Sequence, residues 1–280
     1  MAASTNRMKC FLQRALIGAF IVALVGCGQV SKQKSAEKEM ASGSTATSIE
    51  DSLQTVVSVV GGANGQPVVR GSGMFISEDG HILTNAHVVT NDHTRDAYPE
   101  ITISTTANID EPAQCFATAQ VLAANQELDL ALLEIVSPLD INCDAVDTSE
   151  FGEFWYTDPK TDSALPRIGD ELTAIGFPGI GGDTVTVTRG HVSGFIGGDG
   201  TNPGFIKTDT LINHGNSGGA AFSKDGKFVG IPSAFQSDAS GEGGVLGLLI
   251  PADEVNSWLD RLLDRGILKE SLESESTKGS

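Results

Sequence analysis

Positive charge, aromatic rings, cysteine and long apolar runs are all scarce in this chain. Eighteen Lys and Arg stand against 36 Asp and Glu in 280 residues, a formal net charge of −18. That balance argues against nucleic acid as a partner, because phosphate binding needs a basic patch. Helical periodicity is scarce too. Thirty-three glycines accompany only two Trp and two Tyr, and short Val/Ile/Thr-rich runs are broken by Gly, Asn and Asp, a pattern that favours a mostly β architecture. With 40% hydrophobic and 19% charged residues, disorder throughout is excluded, and the length suits one large or two ordinary domains. No metal or cofactor is expected.

The only extended apolar run lies near the start. Arg7, Lys9 and Arg14 precede an uncharged stretch from Ala15 to Gly26, shorter than the roughly twenty residues that span a bilayer, so residues 1–26 read as a signal peptide. Leu24-Val25-Gly26-Cys27 resembles a bacterial lipobox, in which the Cys becomes the lipidated first residue; the alternative is an ordinary signal that contains a Cys. The lipobox reading anchors the protein to a membrane through Cys27 without spanning it, and places it in the bacterial cell envelope, facing the periplasm or exterior. Residues 27–50, rich in Ser, Lys, Glu, Thr and Ala, read as a flexible tether. Of the other cysteines, Cys10 lies inside the signal. Cys115 and Cys143 are expected to pair outside the cytoplasm, with two buried thiols as the alternative.

The chemistry is densest at Asn213-His214-Gly215-Asn216-Ser217-Gly218-Gly219. Glycines around Ser217 let the backbone take φ > 0 and turn sharply, so that the Gly215 and Ser217 amides could stabilise an oxyanion. A Gly-rich loop is the plain alternative. A nucleophilic Ser needs a base and an orienter. Among the five histidines, His87 stands at the end of a strand between small and apolar neighbours. His81, His93 and His191 lie beside turns or charges and are expected at the surface. His214 is too close to Ser217 in a tight turn to reach its hydroxyl, and reads as a rim residue. Asp129 opens the apolar strand Leu130–Ile135, where a turn Asp is the commoner use but a largely buried carboxylate could orient His87.

Taken together, Thr84-Asn85-Ala86-His87-Val88-Val89, Asp129-Leu130-Ala131-Leu132 and Gly215-Asn216-Ser217-Gly218-Gly219 resemble the trypsin-fold serine proteases. Gly71-Ser72-Gly73, Arg167-Ile168-Gly169-Asp170, Ala174-Ile175-Gly176-Phe177-Pro178, Gly190-His191-Val192-Ser193, Thr208-Asp209 and Leu249-Ile250-Pro251 are similar to its HtrA branch. The resemblance covers about residues 53–260. It implies an all-β fold of two six-stranded antiparallel barrels with a short C-terminal helix, a protease domain over 51–265 and an acidic tail over 266–280. It also implies His87 as general base and acid, Asp129 as its orienter and Ser217 as nucleophile, with Gly215 and Ser217 amides as oxyanion hole. Ser233 matches the residue that supports the triad Asp, and Leu211, Ile212, Phe235 and Leu246 would wall the S1 pocket. With no acid at the pocket floor, small aliphatic P1 residues are expected.

Departures from the family are informative. Asn216 is a neutral amide that cannot pair with a freed N-terminus, so activation by N-terminal cleavage is not expected. Pro232 removes an amide donor beside the substrate strand. Residues 137–166 exceed the connection expected between barrels and could form a lid or docking surface. A PDZ domain after the protease domain is not expected. The function implied is a serine endopeptidase of the cell envelope acting on proteins or peptides. A non-catalytic binding or holdase lipoprotein on the same fold, and a small-ester hydrolase, are the competing readings.

Overall fold

The computed structural model describes residues 45–106, 108–147, 151, 155–179, 183–197, 204–236 and 246–268. The signal segment, Cys27, most of the tether and the tail beyond residue 268 lie outside these residues, as do the side chains of residues 234–236. Among the described residues, no helix is long and apolar enough to cross a membrane.

The chain enters through α1 (Ile49–Thr55) and then lays down β1 (Val56–Ala63), β2 (Gln66–Phe75), β3 (His81–Thr84), the single-turn α2 (Ala86–Val89), β4 (Glu100–Thr105), β5 (Gln114–Asn125) and β6 (Leu130–Pro138). These six strands close into a barrel in the order β1-β2-β3-β6-β5-β4. A second set follows: β7 (Glu171–Gly176), β8 (Thr186–Ile196), β9 (Phe205–Thr208), β10 (Ala220–Ser223), β11 (Phe228–Gln236) and β12 (Leu246–Pro251), closing as β10-β11-β12-β9-β8-β7, before α3 (Ala252–Asp264). The expected pair of six-stranded antiparallel barrels with a short C-terminal helix is the architecture observed.

Strand periodicity explains how two barrels share three cores. On β6, Ala131, Leu133 and Ile135 face the interior of the first barrel with Val57, Val59 and Ile82. The alternate residues Leu130 and Leu132 join Met74, Phe222, Phe228 and the α3 residues Val255, Trp258 and Leu259 in a cluster shared by both barrels and the helix. Successive strand residues point to opposite faces, so a strand buried on both faces reads as a continuous apolar run. The third cluster fills the second barrel around Leu172, Val192, Val229 and Leu249.

Local chemistry moves some boundaries from where patterning puts them. The β-branched run suggests a strand from Leu53, yet Ile49–Thr55 is helical, because the Ser48 hydroxyl accepts the Asp51 amide at 3.1 Å and Glu50 and Asp51 occupy the first turn. An N-cap and early acids favour a helix start. Before α1, the Ala46 amide donates to the Tyr156 carbonyl at 2.9 Å. β1 and β2 are joined at Asn64-Gly65, both with positive φ (55° and 71°), the hairpin-turn geometry that matches strand twist. At the far end Leu268 is buried beyond α3, so packing extends past residue 265.

The long connection between the barrels is a strap over its described residues 155–164, not a lid. The Thr157 amide donates to Phe75 of β2 at 3.0 Å, and Phe228 of β11 donates to Asp162 and accepts from Ala164. Lys227 pairs with Asp162, Lys160 with Asp260 of α3 at 2.7 Å, and the Asn256 side chain donates to the Pro159 carbonyl at 2.8 Å. Thr157 is fully buried. The connection thus ties both barrels together mainly through backbone groups, and the helix through the Asp260 and Asn256 side chains, partners that composition does not report. Its earlier part is fastened by a disulfide between Cys115 on β5 and Cys143, with Cα atoms 5.2 Å apart.

Candidate active site

His87 is placed by α2, which follows directly from β3. Its ring Nδ1 lies 2.9 Å from Asp129 Oδ2 and 3.0 Å from Oδ1, and its backbone amide donates to Oδ1 at 3.1 Å. Asp129 stands at the mouth of β6 with φ of 54°, a left-handed conformation that Asp tolerates better than most residues. Its carbonyl accepts the Asn85 side-chain amide at 2.7 Å, and its Oδ2 accepts the Ser233 hydroxyl at 2.6 Å. The carboxylate therefore has acceptor sites filled from both barrels. Burial disfavours a charged imidazole, but the hydrogen bond to Asp129, its charge and that of Asp92 outweigh burial and raise the His87 pKa above its ordinary value. A proton on Nδ1 held by Asp129 leaves Nε2 as the basic nitrogen.

Ser233 reaches Asp129 because β11 is irregular there: its register with β12 shifts between Pro232 and Ala234. Such a bulge re-aims a side chain. The Pro232 carbonyl accepts the Gly218 amide at 2.9 Å, so the residue that cannot donate still clamps the nucleophile turn.

That turn is built from close backbone contacts. Gly215 and Gly218 have φ of 98° and 84°. A Cβ on Gly218 would strike the Ser72 carbonyl and Thr84 Oγ1, and one on Gly219 the Ile175 carbonyl. Ser72 braces the turn from the first barrel. Its amide donates to Ser217 O at 2.8 Å, and its hydroxyl donates to Gly215 O at 2.6 Å while accepting the Phe177 amide at 2.8 Å. Gly179 N donates to His214 O at 3.0 Å. Among the described residues, the Gly215 and Ser217 amides have no protein acceptor. The Ser217 hydroxyl donates to the Ser233 carbonyl at 3.1 Å and is not hydrogen-bonded to His87.

The structure thus brings together His87, Asp129 and Ser233, and sets Ser217 against Ser233. Of the residues expected to wall a pocket, Ile212 is 3% exposed and packs into the second barrel's core, with its Cγ1 where a Cβ on Gly247 would be 2.5 Å away. Leu246 is half-buried at the start of β12. Leu211 is 58% exposed and does not turn inward with Ile212, while of Phe235 only the backbone is described. His214 is exposed, as a rim residue should be, and His191 stands near Asp209 at 3.8 Å. His81 is not a surface residue: it is buried, with Ser77 Oγ 2.8 Å from its Nδ1, and burial lowers its pKa despite Glu134 and Asp79. A turn on one side hid the apolar strand on the other. Ser72 and Asn85 were the braces that motif reading passed over; the glycines flanking Ser72 were the available signal, since a Cβ on Gly71 would meet Ser217 O at 3.0 Å. Among the described residues, no group of three or more His, Cys, Asp or Glu could hold a metal ion.

Residues 71–231 match the family described as "Trypsin-like peptidase domain". The chain is similar to "Probable periplasmic serine endoprotease DegP-like" of Bartonella henselae, 34% identical over 207 residues, 73% of this chain and 35% of that protein. It is also similar to "Protease Do-like 2, chloroplastic" of Arabidopsis thaliana, 33% identical over 191 residues, 66% of this chain and 27% of that one. The chain spans about a third of the length of the curated relatives it matches. Among solved structures it is similar to "Crystal structure of the serine endoprotease from Yersinia pestis", with 28% identity and a TM-score of 0.54 over 78% of this chain and 66% of that one.

Proposed function

The chain belongs to the trypsin-like peptidase domain family, and we propose that it is a serine endopeptidase whose triad is His87, Asp129 and Ser217. The observation that carries this reading is the set of hydrogen bonds at Asp129, which accepts from the His87 ring and the Ser233 hydroxyl beside a turn whose Gly215 and Ser217 amides have no acceptor among the described residues. Ser217 Oγ leaves the Ser233 carbonyl, gives its proton to His87 Nε2 and forms a C–O bond to the substrate carbonyl carbon. The carbonyl oxygen becomes an oxyanion between the Gly215 and Ser217 amides, each donor contributing on the order of 3 kcal/mol at such a site. The C–N bond then breaks, the leaving amine takes the proton from His87, and water hydrolyses the acyl-enzyme by the reverse transfers. Asp129 holds the Nδ1–H tautomer and stabilises the imidazolium. The half-buried Leu246 offers an apolar, uncharged wall to the acyl residue, which favours a small aliphatic P1.

The periplasmic description of bacterial relatives and the lipobox-like Leu24–Cys27 support a cell-envelope location with Cys27 lipidated, residues 1–26 removed and the segment after Cys27 as tether. Fluorophosphonate labelling under native conditions, with mass spectrometry of the adduct, tests the chemistry. The adduct belongs on Ser217 and is absent from Ser217→Ala and His87→Ala, with casein hydrolysis lost in parallel. The hydroxyl resting on the Ser233 carbonyl rather than on His87 favours one other reading, a binding or holdase protein on the same fold. An unlabelled Ser217 in folded wild-type protein would decide for it.

A further inference from the structure

The Gly215 amide can serve an oxyanion only while the peptide that carries it keeps one orientation. The turn has little stiffness of its own, since Gly215 and Gly218 have φ of 98° and 84° and glycine moves between backbone regions at small cost. Asn216 between them and the nucleophile is a neutral amide, 3% exposed, with no charge to fix the turn. The hold comes from outside it. On one side of the Gly215 amide, His214 O accepts Gly179 N at 3.0 Å. On the other side, Gly215 O accepts the Ser72 hydroxyl at 2.6 Å. That hydroxyl has no freedom left. Ser72 is fully buried, the Phe177 amide donates to its oxygen at 2.8 Å, and a hydroxyl has one proton to give, which goes to Gly215 O. A Cβ on Gly176 would lie 3.1 Å from Ser72 Oγ and one on Gly219 3.3 Å from Ser72 Cβ, so backbone rather than side chains closes around it.

Ser72 makes two separable contacts with the turn. Its backbone amide donates to Ser217 O at 2.8 Å, a bond that any residue but proline would keep. Its hydroxyl alone reaches Gly215 O. Deleting that one oxygen leaves the Phe177 amide and Gly215 O without their partner, at residues that are both buried, and an unmade buried hydrogen bond is costly. The chain can recover the bond at Gly215 O only by rotating at Gly215, which carries the amide out of line with an oxyanion. We infer that Ser72 is a positioning residue of the oxyanion hole: its hydroxyl, supplied by the first barrel, fixes the Gly215 amide in the second, while its backbone fixes Ser217. This rests on the peptidase reading above.

The test compares two ligands of the full-length protein that differ at one carbon: a short peptide ending in an aliphatic residue as its trifluoromethyl ketone, and the same peptide as the trifluoromethyl alcohol. Ser217 Oγ adds to the ketone carbon, its proton passes to His87 Nε2, and the carbonyl electron pair becomes an oxyanion in the hole. The alcohol has no carbonyl to attack and reads the rest of the site. Ser72→Ala should weaken the ketone relative to the alcohol by roughly tenfold to a hundredfold, less than removing a hole donor outright, with kcat on a peptide substrate falling by the same factor and KM held. Thr55→Val removes another fully buried hydroxyl, which donates to Ser52 O at 2.9 Å within α1; it should lower the melting temperature without moving the ketone-to-alcohol ratio, which separates stability from positioning. Ser72→Cys keeps a weak donor and acceptor, should give a ratio between wild type and Ser72→Ala, and carries the test alone if Ser72→Ala does not fold. A wild-type ratio in the folded Ser72 variants, or equal loss of both ligands, overturns the inference and leaves the peptidase reading standing. Wild-type protein that forms no adduct with the ketone by fluorine NMR overturns the peptidase reading, and this inference with it.

Discussion

In the first barrel the candidate base is held by charge and directed hydrogen bonds, with Asp129 gripping the His87 ring and amide while Asn85 and Ser233 grip Asp129. In the second barrel the nucleophile turn is held mainly by absence of volume, at Gly215, Gly218 and Gly219, where backbone approaches leave no room for a Cβ. Ser72 fastens the turn from the first barrel through its hydroxyl. The first half is thus sensitive to protonation and to exchange of a single oxygen for nitrogen. The second is sensitive to a single methyl group.

The largest expected effect breaks the second half. Gly218→Ala adds a methyl that meets the Ser72 carbonyl at a φ of 84°, costing roughly 3 kcal/mol from strain and collision; hydrolysis should become undetectable and the melting temperature fall. Gly65→Ala has a similar φ of 71° but open space around it, and should cost about 1 kcal/mol from strain alone with activity kept. Equal melting temperatures for the two variants would show that close packing does not hold the turn. Next, Asp129→Asn keeps the shape of the first half and removes its charge. It should lower kcat by about 10⁴-fold through the wrong His tautomer while far-UV circular dichroism stays unchanged, and a loss under tenfold would mean that charge is not what organises His87.

The smallest effect sharpens the contrast. Catalysis needs neutral His87, and its pKa is raised, so the acid limb of kcat/KM against pH should have its midpoint above the ordinary histidine value. Stability runs the other way. A raised folded pKa contributes stability that is complete below the unfolded pKa and lost as pH rises through the folded one. Between those two values activity should therefore climb while the His87–Asp129 contribution to stability declines. A limb at or below the ordinary value would show burial outweighing the carboxylates.

Much of this was legible in order along the chain. The apolar run Leu130–Ile135 marks a strand buried on both faces because every second residue meets a different core, and the glycines around Ser217 mark a turn because φ > 0 and close approach both exclude a side chain. Less was legible where partners are distant in sequence. His81 looked like a turn residue, since its burial depends on what packs over β3. Residues 137–166 read as a lid or docking surface, since the groups that fasten residues 155–164 are mostly backbone atoms of β2 and β11 and side chains of α3. The Leu211 and Ile212 pair looked equivalent, since composition does not say which of two neighbours faces the core.

By itself the sequence determined residue type and spacing: which strands have two apolar faces, where a Cβ is missing, and which His, Asp and Ser stand at the ends of such strands. Those properties are local and survive in the unfolded chain. Tertiary structure decided which groups meet: Ser233 on Asp129 through a bulge, Ser72 on the back of the nucleophile turn, Asp92 beside His87. Each of these contacts is set by barrel closure or by the docking of one barrel on the other, a geometry that no short stretch of residues contains.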